Sequence, residues 1–283
     1  MKTLKFSICL MLLISCENFE TSQDNIQPQS YLDEIEELKS LYEHGFDLAL
    51  DALDNKKPEN KHNDPYLSVE EQIMNMVNLT SKEIMVFKNG GEDGFLDEFQ
   101  RIISGNNIQG RMRVDMLNVG NFYNLQQREI LTPFIYDLEL ADNPELSKKI
   151  AETFQNQIIN ASSLSYEEKM ALLTISSGTI VFSDFVLNGG IEKIKEKLIT
   201  DYNGQVQTLG CSVNMRYVWL GAVIGAGTGA VGGAKVGCTG GMVGGPIGAA
   251  GGCVGGAVMG GATGFISGAL MAAGAELLGS CFR

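Results

Sequence analysis

Apolar side chains from residue 31 onward recur at helical spacing. Ile35, Leu38, Tyr42, Phe46, Ala49 and Leu53 share one face, opposite Asp33, Glu36, Glu37, Lys39 and Glu43. The same periodicity predicts helices near 31–54, 68–88, 93–104, 122–139, 144–160, 165–187 and 189–200. Ser68-x-x-Glu71 and Ser165-x-x-Glu168 match the capping box, in which each side chain satisfies a free first-turn N–H. Asn143 before Pro144 puts a cap ahead of a proline at the first helical position. Asn55 to Pro65 reads as a charged loop broken by Pro58 and Pro65. No stretch alternates with period two between hairpin turns, so residues 31–205 are read as an all-α domain. Its expected core draws on Met74, Met76, Leu79, Phe95, Phe99, Ile102, Phe134, Ile135, Phe154, Ile158, Leu172 and Phe182.

The pattern changes beyond residue 205. Glycine recurs at 221, 225, 229, 233, 237, 241 and 245, and a second series runs 240, 244, 248, 252, 256, 260, 264 and 268. Every step is four residues, which lays a bare backbone strip along one side of a helix. Such strips let helices approach closely, as helices do in lipid. In water each glycine costs a helix up to about 1 kcal/mol relative to alanine, so this composition opposes a solvated helix. In a bilayer the backbone must satisfy its own hydrogen bonds, and helix is the available state. Residues 206–283 are therefore expected to form a glycine-zipper antiparallel helical hairpin. Its helices are placed near 217–243 and 247–278, each longer than the roughly 20 residues a span needs. Gly244-Gly245-Pro246 is the expected turn. The packing glycines are Gly221, Gly225, Gly229, Gly233, Gly237 and Gly241 on one arm. Gly244, Gly248, Gly252, Gly256, Gly260, Gly264 and Gly268 supply the other.

Four cysteines bear on that register. Cys211 and Cys281 both lie 35 residues from Pro246, while Cys238 and Cys253 lie 8 and 7 from it. Of the three possible pairings, Cys211–Cys281 with Cys238–Cys253 fits an antiparallel hairpin. The competing reading treats Cys238 and Cys253 as small apolar residues. Tyr217 and Trp219 are expected to be interfacial anchors. Lys235, the one charge inside the first arm, is expected to snorkel towards the tip, the alternative being that it lines a pathway, and Glu276 is expected to meet solvent near the end of the second.

The N-terminus reads as an address. Lys2 and Lys5 precede an apolar run from Phe6 to Ile14, too short to span a bilayer and suited to a signal peptide. Leu13-Ile14-Ser15-Cys16 resembles the lipobox of bacterial lipoproteins. That resemblance implies a lipid on Cys16 and loss of residues 1–15, and an exported chain permits disulfides. Residues 16–30 are polar, begin with Glu17 and Glu20, and read as a flexible tether. The acidic start resembles surface-directed lipoproteins of the Bacteroidota, which implies the outer membrane.

Composition narrows the function. A net charge of −13 argues against nucleic acid, since phosphate binding needs clustered Lys and Arg. His44 and His62 are the only histidines, which leaves little for a metal site or a histidine base, and no cofactor is implied. Asn89-Gly90-Gly91-Glu92-Asp93-Gly94 lacks calcium-loop spacing and reads as a helix end followed by an acidic helix start. Asp97 and Glu98 are helical neighbours that do not face one another. With no Ser/His/Asp set, phosphate loop or paired CxxC, the expectation is a non-enzyme.

The glycine runs resemble two groups. One is the outer-membrane lipoproteins of the 17 kDa surface antigen type, which join a lipobox cysteine to a glycine-zipper helical pair. The other is the glycine-rich membrane-active bacteriocins of the colicin V kind. Resemblance covers the first sixteen residues and about 217–278; the large middle domain matches neither. The first group implies an envelope lipoprotein in a structural or interaction role, its partners a lipid bilayer and a second copy of itself. The second implies a pore-forming, bacteriocin-like antibacterial toxin with an immunity protein.

Overall fold

A computed structural model describes residues 28–55, 65–89, 123–200, 212–241 and 245–281. These form eight helices and no strand, so the protein is all-α. In chain order they are α1 Pro28–Asn55, α2 Pro65–Asn89, α3 Leu125–Leu140, α4 Pro144–Asn160, α5 Tyr166–Leu187, α6 Gly190–Thr200, α7 Met215–Gly241 and α8 Gly245–Cys281. The chain clusters into two compact units, Met1–Glu34 and Ile35–Arg283. The glycine-rich helices fall in the same unit as the helices between residues 65 and 200. Residues 1–27 with Cys16, the loop 56–64, the helix expected over 93–104 with Phe95, Phe99 and Ile102, the Gly90–Gly94 turn, and Cys211 lie outside the described residues.

Local chemistry accounts for four of the eight helix starts. Ser165 accepts from the Glu168 N–H while Glu168 accepts from the Ser165 N–H, the reciprocal capping box. Asn143 caps α4 with Pro144 following. Asn124 and Gln127 make a second complete box at the start of α3. Ser68 does not cap α2: the helix begins at Pro65, whose fixed φ suits a first turn, and Ser68 lies inside it.

The expected face of α1 is buried at Ile35, Leu38, Tyr42, Phe46 and Ala49, with Glu36, Glu37 and Glu43 exposed. Met76, Phe134, Ile135, Phe154, Ile158, Leu172 and Phe182 are core as expected, whereas Met74 and Leu79 are half-buried. Rings hold the bundle together. Phe134 stacks on Phe154 at 4.0 Å between centroids, and Phe46 lies 5.2 Å from Phe182 and 5.0 Å from Phe185.

Two helices break the amphipathic rule. On α5 every residue from Leu172 to Ser183 is buried, and on α8 every residue from Met259 to Ser267. A helix covered on all sides occupies the centre of a bundle, and these two are the axis around which the rest is built.

Candidate membrane-insertion element

α7 and α8 lie antiparallel and meet backbone to backbone. Gly221 opposes Gly268, Gly225 opposes Gly264, Gly229 opposes Gly260, Gly233 opposes Gly256 and Gly237 opposes Gly252. A Cβ placed at Gly225, Gly229, Gly233 or Gly237 would overlap the carbonyl oxygen of its partner. Five successive helical turns of each arm thus need glycine for close approach. Level with the last of these pairs, Cys238 and Cys253 form a disulfide with Cα atoms 4.1 Å apart. The glycine pairs are centred at 244–245, inside the expected turn. Gly245 and Pro246 nevertheless open α8, with proline in the first turn where its missing N–H costs nothing. Gly241 closes α7 and Gly248 lies in the first turns of α8. Gly244 lies outside the described residues, and the Lys235 side chain is likewise not described.

The two ends of this pair live in different surroundings. At the base, α8 is gripped through notches cut by small residues. Ile266 fills the space over Gly45 of α1, where a Cβ would come 2.5 Å from Ile266 Cδ1 and 2.9 Å from Ile84 Cδ1. Phe265 and Tyr42 fill the space over Gly178 of α5, and Ile73 of α2 fills that over Gly274. The Ser81 and Ser267 hydroxyls share a buried hydrogen bond of 2.7 Å, and Tyr42 meets Phe265 edge-on at 5.4 Å. Arg216 pairs with Glu139 at 3.0 Å, and the Asn214 N–H donates to Glu276, tying the outer ends of both arms down.

Towards the tip the cover is lost. Val231, Gly251 and Gly255 are exposed, and a Cβ at Gly251 or Gly255 would have open space around it. Residues 252–254 and 256–258 are half-buried, and the neighbours found at their glycines come from α7.

Trp219 departs from its expected role. It is 2 % exposed and stands edge-on to Phe182 at 5.2 Å, a core residue and not an interfacial anchor in this structure. Its indole Nε1 has no hydrogen-bond partner. Leaving a buried donor unpaired costs about 1–3 kcal/mol. Tyr217, two residues earlier, is half-buried.

The interior hydroxyls of α5 and α8 carry their own partners. On α5, Thr174 donates to the Met170 carbonyl, Ser176 to Leu173, Thr179 to Ile175 and Ser183 to Thr179. On α8, Thr263 donates to Met259. Such back-bonding lets a hydroxyl sit in apolar surroundings without help from another helix. Tyr42 donates to the Thr174 carbonyl at 2.8 Å. Burial pushes the Tyr42 phenol well above its usual range, with the nearby Tyr123 phenol adding to the effect. Burial raises Tyr123 as well.

Among the described residues, three helices are long and apolar enough to cross a membrane: Tyr166–Leu187, Met215–Ala234 and Gly251–Ser280. The first carries no glycine repeat. Its signal is the absence of any charge from Met170 to Ser183. No protein-family model, curated protein or solved structure matches this chain.

Proposed function

We propose that this chain is a lipoprotein of the cell envelope, anchored through Cys16 at the outer membrane, that inserts its glycine-packed helical pair into a lipid bilayer. One observation carries the reading: a single continuous zipper is stored at its base inside a helical bundle and bare of that bundle at its tip. The tip offers an apolar surface for first contact with lipid. The base supplies the length to complete a span, since α7 and α8 reach about 40 and 55 Å at 1.5 Å per residue. Insertion would bring Trp219 to a headgroup region, where its indole N–H finds acceptors it lacks in the core. The glycine contacts between the arms need no water and survive the transfer.

A second reading, a pore-forming antibacterial protein guarded by an immunity partner, is favoured by the storage itself. A scaffold that stays embedded has no need to fold its spans into a water-facing bundle, whereas a protein delivered to another cell's membrane does. In either case the working partner is the bilayer, with no enzymatic step and no cofactor.

Flotation with phosphatidylcholine vesicles, combined with release of an entrapped dye, tests both. Co-flotation without release supports the envelope role, and co-flotation with release at low protein-to-lipid ratio supports the pore. A chain that stays at the bottom of the gradient at every ratio overturns the insertion reading.

A further inference from the structure

α5 is built like the helices of the zipper, although it carries no glycine repeat. Its 22 residues reach about 33 Å, enough for the hydrocarbon core of a bilayer. Charged residues stand at its ends, Glu167, Glu168 and Lys169 before the apolar stretch and Asp184 after it. Four of the five hydroxyls between them donate to carbonyls of the same helix.

What α5 touches divides the bundle into two kinds of contact. Against α8 it packs through small residues on both sides: Phe265 sits in the notch at Gly178, and Thr174 Cγ2 lies 3.2 Å from where a Gly261 Cβ would be. Against α7 it packs through Phe182 on Trp219. These are contacts of the type helices make in lipid. The other neighbours of α8 are amphipathic. α1 exposes Glu36, Glu37, Glu43 and Asp47, and α2 exposes Lys82 and Glu83, charges too costly to carry into hydrocarbon.

We infer that α5 enters the bilayer together with α7 and α8, so that the membrane-bound form is a three-helix unit. The plane of separation runs between this trio and α1, α2, α3 and α4, the last an amphipathic helix whose Lys148 pairs with Asp184 of α5. The contacts that must break include Ser81–Ser267, Ile266 over Gly45, Ile73 over Gly274, the Tyr42 hydroxyl on Thr174, Phe46 on Phe182 and Phe185, the Lys148–Asp184 ion pair and Gln155 on Ser177. Those that persist are Phe265 on Gly178 and the zipper itself. This inference rests on the insertion reading above.

The chain's single tryptophan allows the two to be told apart. The full chain is bound to phosphatidylcholine vesicles whose acyl chains are brominated close to the headgroup, the depth that insertion gives Trp219, and tryptophan emission is compared with that in unbrominated vesicles. Trp219 of the native chain reports on the pair. In Trp219→Phe/Phe182→Trp the indole reports on α5, and Trp219→Phe/Phe185→Trp is a second reporter at a half-buried site should the first variant fold poorly. Loss of emission in a folded α5 reporter to the same degree as in the native chain is the expected result. Quenching of Trp219 with unchanged emission from the α5 reporters overturns the three-helix unit and leaves the insertion of the pair intact. No quenching at either position overturns both.

Discussion

The base and the tip of the zipper share one sequence rule and meet two different fates. Glycine at every fourth position brings α7 and α8 together from Gly221–Gly268 to Gly237–Gly252 without a change of register. Yet Phe265 and Ile266 at the base are fully buried against other helices, while Gly251 and Gly255 at the tip face open space. The repeat therefore specifies how the two helices approach one another. What covers the outside is set by the residues between the glycines: Trp219, Phe265, Ile266 and Leu270 at the base, Ala and Val at the tip. A membrane protein needs the first property everywhere, and a soluble precursor needs the second at one end.

The sharpest way to break the comparison is to break the rule both ends share. Gly229→Leu or Gly233→Leu would drive a side chain into the opposite backbone, and the arms must part. The expected cost is about 4 kcal/mol or more in denaturant unfolding, with vesicle binding lost as well. Unfolding curves like those of the native chain would mean that close approach is not what the glycines provide.

A smaller effect should fall on the tip alone. The Cys238–Cys253 bond closes a separation of 15 residues, for which loop closure suggests a contribution of about 2–3 kcal/mol. Removing it with Cys238→Ser/Cys253→Ser should raise amide exchange in residues 229–241 and 245–258. Protection at Met259–Leu278 should be unchanged. Equal loss of protection at both ends would mean that the base depends on the tip.

Alkaline pH should act in the reverse sense, on the base. The folded chain holds the Tyr42 and Tyr123 protons above the usual value of 10.0, where the unfolded chain releases them. Stability is then complete below about pH 10 and falls as pH rises from there towards the folded values. Tyr42→Phe should reduce that slope, measured as the denaturation midpoint against pH. A flat profile above pH 10 would contradict the burial of both phenols.

The smallest expected change has the opposite sign. Gly251→Ala and Gly255→Ala meet nothing within 4 Å, so each should stabilise by about 0.5–1 kcal/mol through helix propensity. The same substitution at Gly225 should destabilise. Destabilisation at Gly251 or Gly255 would reveal a partner seated on the tip.

Much of this arrangement is legible from residue spacing. The face of α1 is a period-3.6 pattern, the box at Ser165 follows from a serine three before a glutamate, and the pairing of Cys238 with Cys253 lies in their near-equal distance from Pro246. The Asn124-x-x-Gln127 box was available from the same rule. The wrapping of the base was not legible, for a physical reason. A helix apolar on every side has the same composition whether lipid or protein covers it, and Trp219 is equally at home at an interface or in a core. The notches at Gly45 and Gly178 are single glycines in otherwise ordinary helices, and they acquire meaning only once Ile266 and Phe265 are seen to fill them. Ser68 misled because Pro65 starts α2 earlier than a serine cap would.

The claim that the pair leaves its bundle for the bilayer is tested most directly by fastening it there. Ser81 and Ser267, whose hydroxyls lie 2.7 Å apart across α2 and α8, are replaced by cysteine, and vesicle co-flotation of Ser81→Cys/Ser267→Cys is measured oxidised and reduced beside the native chain. The account predicts that the oxidised variant stays in solution and floats after reduction, while the native chain floats in both conditions. Equal flotation of the oxidised variant would contradict it, and would mean that the base stays in its bundle while the tip alone meets the membrane.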